Sequence, residues 1–289
     1  MDLPLPNETL SGIFAHLDGD RETLKALCLT TRGLAHVARP FLYTALPLPF
    51  LLVRGSGLVL DPAAYARFSA VTDEQASVSL KRAVRSVEFS GKGERAGRRS
   101  FPGRLEWTPR KVLDTLLETC ENLREVSLAD PLAEDLADEL GALPSTSSLD
   151  SLSLRTSSLS LEAFESLTAD LAPSLISISL RIGKVNEIYD LALFPNLRDL
   201  SLKVPHEGRR AVRPLAEKMR LSRLTSLDRV DITFTCTERW SCCVFWRPPT
   251  PYSWAPGGPD YYMLGKLPDV CEAKDWELVV NGREVPRRS

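Results

Sequence analysis

The sequence predicts an α/β protein: a small N-terminal three-helix unit, then an irregular repeat solenoid with a parallel sheet inside and helices outside. Three observations carry this. Residues 1–43 hold three short amphipathic helical patterns in succession. A pattern apolar-x-x-apolar-x-apolar then recurs six times between residues 84 and 232. The intervals between copies hold helix candidates, and strand, turn, helix, turn is the solenoid unit. The chain accordingly divides into residues 1–43 and a repeat region over 44–289.

Pro6 and Asn7 make a helix start. Proline suits the first turn because its missing N–H is not needed there, and asparagine can cap the first free amides. Leu10, Ile13, Phe14 and Leu17 fall on one helical face. Gly12, inside this helix, costs about 1 kcal/mol relative to alanine. Asp18-Gly19-Asp20 ends the helix, and Asp20 can cap the next, whose apolar face is Leu24, Leu27 and Cys28. Thr30 or Thr31 can cap a third helix with Leu34, Val37, Ala38 and Phe41 facing inward, and Pro40 limits its length. A domain of about 45 residues is marginal alone. Its apolar residues therefore have two destinations, this small core or another protein.

Tyr43 to Val53 reads as extended, the first strand of the sheet. The six repeat copies are VRSVEF (84–89), LREVSL (123–128), LDSLSL (149–154), LISISL (175–180), LRDLSL (197–202) and LDRVDI (227–232). From Leu149 to Leu175 is 26 residues and from Leu175 to Leu197 is 22, periods proper to leucine-rich repeats. Helices are expected over 111–120, 131–140, 161–171 and 210–219, and a final strand over 276–280. Residues 90–110 are Gly- and Arg-rich and read as an exposed basic loop. Its GKGERAG lacks the G-x-x-x-x-G-K-[ST] order of a phosphate loop. Residues 240–262 are rich in proline, tryptophan and tyrosine, and either cap the open end of the solenoid or serve as a recognition surface.

Strand side chains alternate between faces. Aligning the copies puts Ser127, Ser153, Ser179 and Ser201 in one outward column, between Glu88 and Asp231. Arg155, Arg181 and Lys203 fall in the next. Neighbouring strands lie about 4.8 Å apart, so these are stacked like charges that an acidic or phosphorylated segment would relieve. The plainer alternative is a solvated strand face.

The net charge is −2 and the pI about 6.0, which disfavours wholesale nucleic-acid binding. No secretory signal pattern opens the chain, and its most apolar run, 45–53, is broken by Pro47 and Pro49 and too short for a bilayer. The six cysteines are expected to be free thiols in a reducing compartment, and no C-x-x-C pair or zinc set is present in the sequence. No nucleophile elbow, H-E-x-x-H pair or dinucleotide motif appears, so neither an enzyme nor a cofactor is expected.

The opening resembles an F-box of the form common in fungal proteins. The matching residues are Leu5-Pro6, Glu8, Leu10, Ile13, Phe14, Leu17, Leu27, Leu29, Arg32 and Arg39-Pro40-Phe41-Leu42-Tyr43. Leu34 stands where many F-boxes carry an aromatic residue. The region behind it resembles the irregular leucine-rich repeats that follow many F-boxes, without the asparagine of regular repeats, so distorted turns are expected. The resemblance implies that Leu5, Pro6, Leu10, Ile13, Phe14 and Leu17 contact the Skp-type adaptor of a cullin-based ubiquitin ligase. The array would hold a protein substrate, with Arg155, Arg181, Lys203, Ser153, Ser179 and Ser201 as the candidate contacts. The alternative is a repeat scaffold whose F-box-like helices only cap the array. A cytoplasmic or nuclear location fits both.

Overall fold

The computed structural model describes residues 6–17, 20–53, 57–96, 107–144, 148–156, 159–181, 190–205, 221–235, 264 and 267–285. Among these the chain is α/β, with ten strands, most of them parallel. It forms two compact units, Met1–Val126 and Ser127–Ser289. The division falls inside a strand, not at residue 43, because the three opening helices pack in one unit with the first strands.

The first unit opens with α1 (Asn7–Ala15), α2 (Arg21–Thr30) and α3 (Arg32–Leu42). Asn7 is the first helical residue rather than the cap; Pro6 occupies that position, and no side chain caps the helix. Asp20 caps α2 by accepting from the Thr23 amide (3.1 Å) and hydroxyl (2.7 Å), which holds its carboxyl below the usual range. Thr31 caps α3, accepting from the Leu34 amide at 3.2 Å. Pro40 lies inside the last turn, where it removes one helical N–H donor, and the helix ends two residues later. Leu10, Phe14, Leu24, Val37 and Ala38 form the buried core, with Leu17, Leu27, Leu34 and Phe41 packed around it. Phe14 and Phe41 meet edge-on, centroids 6.2 Å apart.

The extended segment is β1 (Ala45–Val53), parallel to β3 (Ser86–Ala96) and antiparallel to the short β2 (Gly57–Leu60). Two prolines sit in β1 at no ladder cost. The Pro47 carbonyl accepts from Arg67 (3.2 Å) and the Pro49 carbonyl from the Asp61 amide (2.9 Å), so both residues point away from β3. On that side the ladder with β2 begins only at Phe50. The missing N–H groups are thus not needed.

The first and last described parts of the expected basic loop over 90–110 belong instead to a strand and a helix. Residues 90–96 continue β3, because the apolar end of β1 needs a partner: Phe50 pairs with Gly91 and Leu51 with Lys92. At the other end Thr108 caps α6 (Pro109–Thr119), with Pro109 in its first turn. Residues 97–106 lie outside the described residues.

Two helices between β2 and β3 have no counterpart in the sequence reading, α4 (Pro62–Thr72) and α5 (Val78–Ala83). Asp61 starts α4 by accepting from the Ala63 amide at 2.7 Å, and also binds the Lys92 ammonium. Phe68 of α4 packs against Trp107, centroids 4.8 Å apart. Burial pushes the Asp61 carboxyl up, but the Lys92 hydrogen bond and charge and the Ala63 and Ala64 amides outweigh it and hold the group below its usual range.

The remaining repeat copies become β4 (Glu125–Ala129), β5 (Ser151–Arg155), β6 (Ser177–Arg181), β7 (Asp199–Pro205) and β8 (Arg229–Thr235). In the second unit they stand in sequence order, followed by β9 (Glu277–Val280) and β10 (Arg283–Glu284). A repeated backbone step sets the register. The Asp150 carbonyl accepts from the amides of Ile176 and Ser177, that of Ile176 from Arg198 and Asp199, and that of Arg198 from Asp228 and Arg229. The inward side chains then stack as Leu152, Ile178, Leu200, Val230 and Leu278, all nearly inaccessible. The expected helices at 131–140 and 161–171 form as α7 (Ala133–Leu140) and α8 (Leu161–Thr168). Among the described residues, the crossovers after β6 and β7 hold 3-10 turns at Leu191–Leu193 and Leu221–Arg223. The helix expected at 210–219 and the segment 240–262 lie outside the described residues. Helix α9 (Leu267–Lys274) leads into β9. No helix among the described residues is long and apolar enough to cross a membrane.

Asp61→Ala is expected to lower stability at neutral pH by about 1 kcal/mol from the cap alone, and more with Lys92 left unpartnered. The folded carboxyl titrates below its unfolded value of about 3.9. Its contribution is therefore complete above about pH 4 and is lost as the pH falls through the folded pKa. Urea denaturation of both chains across acid pH should show the gap shrinking toward about pH 2; a constant gap would contradict this account of Asp61.

Candidate functional site

Two surfaces carry the sequence-derived sites. On the three-helix unit the expected contact residues separate. Leu5 lies outside the described residues. Pro6 is exposed and Leu17 half-buried. Leu10 and Phe14 are buried at 7% and 3% exposure and belong to the core of the helical unit. Helix geometry explains the split. At about 100° per residue, Leu10, Phe14 and Leu17 share a narrow strip, and Ile13 stands on its shoulder. Ile13 is 46% exposed, and Leu29 of α2, absent from the expected contacts, is 88% exposed. Gly12 is also exposed, and a Cβ there would meet nothing within 4 Å.

The second surface is the outward face of the sheet in the second unit. Register pairs Ser153 with Ser179, Ser179 with Ser201, and Ser201 with Asp231, so the serine row exists as expected. It is not an open row. Ser127 and Ser153 are 3% and 5% exposed, and Ser179 and Ser201 half-buried. A hydroxymethyl group flanked by strands about 4.8 Å away on either side is short enough to be overshadowed. The Ser127 hydroxyl is buried without a hydrogen-bond partner.

The cationic row stands differently. Arg155 and Arg181 are exposed and Lys203 is half-buried. Arg181 pairs in register with Lys203, and Lys203 with Thr233. Beyond β9, the Asn281 side-chain carbonyl accepts from the Phe234 amide at 2.8 Å, while its amide nitrogen is buried and unpartnered. Arg181, Lys203, Thr233 and Asn281 thus bring cations, a hydroxyl and an amide donor to the carboxyl ends of adjacent strands. Sequence reading missed Asn281, although Asn281-Gly282 is a hairpin signal.

The opposite end of the same face is acidic and only partly offset by Arg229. Asp199, Arg229 and Glu277 are aligned across β7, β8 and β9. Arg229 lies 3.6 Å from carboxylate oxygens of both Asp231 and Glu277. These are loose ion pairs rather than hydrogen bonds and contribute little stability.

Among the described residues, no three histidine, cysteine, aspartate or glutamate side chains converge as a metal set. Cys28, Cys120 and Cys271 are free thiols. Burial raises the Cys120 pKa to about 11, against a smaller opposing pull from Lys81, and that of Cys271 to about 12. Both stay protonated and poorly nucleophilic at neutral pH. Cys236, Cys242 and Cys243 lie outside the described residues. No protein-family model matches the chain, and no curated protein matches it.

Phe14→Ala should cost about 3–5 kcal/mol in chemical denaturation, as a cavity in the helical core. Ile13→Ala and Leu29→Ala should each change stability by about 0.5 kcal/mol or less. Equal costs would contradict the split between core and surface. Gly12→Ala is expected to raise stability by about 1 kcal/mol, read as a higher denaturation midpoint, since the position is exposed and open.

Proposed function

We propose that the chain is the substrate-recognition subunit of a cullin-based, SCF-type ubiquitin ligase. The three opening helices bind a Skp-type adaptor, and the outward sheet face of the repeat array receives a protein substrate. The observation that carries the first part is the pair Ile13 and Leu29. In a three-helix unit with its own core, two large apolar side chains remain in water at 46% and 88% exposure. They belong to the F-box-like motif and supply apolar surface for a partner.

The substrate side rests on the donor row. Arg181, Lys203 and Thr233 lie on neighbouring strands and are joined by the unpartnered Asn281 amide, while Arg229 partly offsets the acidic end of the face. A substrate segment carrying carboxylates or phosphate would relieve the repulsion and satisfy the donors. The chain itself performs no transfer chemistry in this reading. It holds substrate near the reacting centre and raises its effective concentration there.

A second reading, a repeat scaffold that does not engage the adaptor, is favoured by one observation: Leu10 and Phe14 are spent on the internal core. Co-purification separates the two. The ligase reading expects a stoichiometric complex with a Skp-type adaptor, lost in a folded Ile13→Asp/Leu29→Asp variant. Arg181→Glu/Lys203→Glu should keep the adaptor and lose substrate ubiquitination. A folded wild-type chain that captures no adaptor would leave the scaffold.

A further inference from the structure

The first unit contains a cleft of about 590 Å³ that neither surface above uses. One wall is the outer stripe of α3, opposite its core-facing side, where Arg32, His36 and Arg39 recur at helical spacing. The other wall is the end of α4 and the start of α5, with Asp73, Gln75 and Ser77. The floor is made of small or apolar groups, Ala35, Pro40, Ala70, Ala76 and Leu80 among them. Its volume lies in the range of ligand pockets.

The electrostatics of the two walls are unequal. Arg32, His36 and Arg39 are all exposed, and among the described residues none stands in an ion pair. The single acid in the lining, Asp73, already accepts from the Gln75 amide at 2.8 Å. Ser77 and Ser79 hydrogen-bond each other at 3.1 Å, and Ser77 caps α5. The lining therefore carries two guanidinium groups against one carboxylate, and its serine hydroxyls are engaged with each other and with the start of α5. Two guanidinium groups seven residues apart on a helix are about 10 Å apart along its axis. A polyproline II segment has three residues per turn and rises about 3.1 Å per residue, so every third side chain returns to one face about 9 Å further on.

We propose that this cleft is a docking groove for an acidic segment of a partner protein: a polyproline II stretch with carboxylates three residues apart and small side chains between them. The carboxylates meet Arg32 and Arg39, and the small residues lie on the alanine floor. Charge complementarity selects this occupant, because a basic or neutral segment leaves both guanidinium groups without a counter-charge. The inference stands apart from the ligase reading, since it requires neither the adaptor nor the sheet face.

The test uses the full chain and fluorescence anisotropy. The probe is a labelled ten-residue peptide with glutamate at every third position and alanine between. Controls carry glutamine instead, or the same glutamates in adjacent positions. The glutamate-spaced peptide should bind at least about tenfold more tightly than either control, with affinity falling as salt rises. Arg32→Glu/Arg39→Glu should abolish this preference, and Arg181→Glu/Lys203→Glu should leave it intact. Ser79→Trp, which fills the cleft without touching the cations, should weaken binding to the same degree, and a thermal melt of each variant checks the fold. Equal binding of the three peptides, or a preference that survives charge reversal on α3, overturns the proposal. So does loss of adaptor co-purification in the Arg32→Glu/Arg39→Glu variant, which would assign those cations to the adaptor contact.

Discussion

The repeat unit depends on one constraint: a single strand cannot bury its inward side chains until the next strand lies beside it in register. The carbonyls of Asp150, Ile176 and Arg198 impose that register. Each accepts two successive amides from the start of the next repeat, so equivalent residues meet. The inward line from Leu152 through Ile178 and Leu200 to Val230 and Leu278 follows, as does a second from Leu154 through Leu180 and Leu202 to Ile232 and Val280. A slip of one residue would exchange these for serines and charges, which a close-packed interior does not accept. The outward rows are thus consequences of the inward ones. Core packing forces Arg181 and Lys203 together, and their mutual repulsion is the cost of a register chosen elsewhere.

The array must also stop. A parallel sheet whose last strand is open offers unpaired backbone groups to any other chain. Here the sheet ends in a hairpin, β9 to β10, turned by Asn281 and Gly282, both at positive φ. Antiparallel pairing shields the outer edge of β9. The Asn281 carbonyl also reaches back to the Phe234 amide and ties the turn to β8. That closing device leaves the other end of the same side chain unpartnered beside the donor row. One residue serves the edge and shapes the face.

Much of this was legible in the sequence, for reasons that differ between elements. All six repeat copies became strands because each combines period-two alternation with a leading apolar residue, valine in the first copy and leucine in the other five, and the strand core is the most strongly patterned part of a solenoid. Asp20 and Thr31 were readable as caps because a short polar side chain preceded an apolar helical face. Asp61-Pro62 carries the same kind of signal, an acceptor before a proline in the first turn, yet α4 went unread because its apolar residues are few and spaced by alanines. The basic stretch after Ser90 was misread for the opposite reason. Its glycines and arginines look like a loop, but the apolar end of β1 recruits it into the ladder, and tertiary pairing overrides composition. Exposure was the least legible property. Periodicity placed Ile13 and Phe14 on one face, and only the packed helices show that a rotation of 100° divides core from surface.

That division limits how the three-helix unit can work. So few residues have little apolar surface to distribute between their own core and a partner. Leu10, Phe14, Leu24, Val37 and Ala38 are committed inward, with Phe41 closing over Phe14. Among the described residues of these helices, the large apolar side chains left outward are Ile13 and Leu29, beside the charged stripe of α3. Affinity cannot come from apolar area alone on such a surface. It must come from a few well-placed anchors with charge complementarity beside them, the pattern by which small interfaces reach specificity. The exposed glycine at position 12 fits the same economy. Packing does not require it, and a bare backbone there allows close approach by whatever meets Ile13.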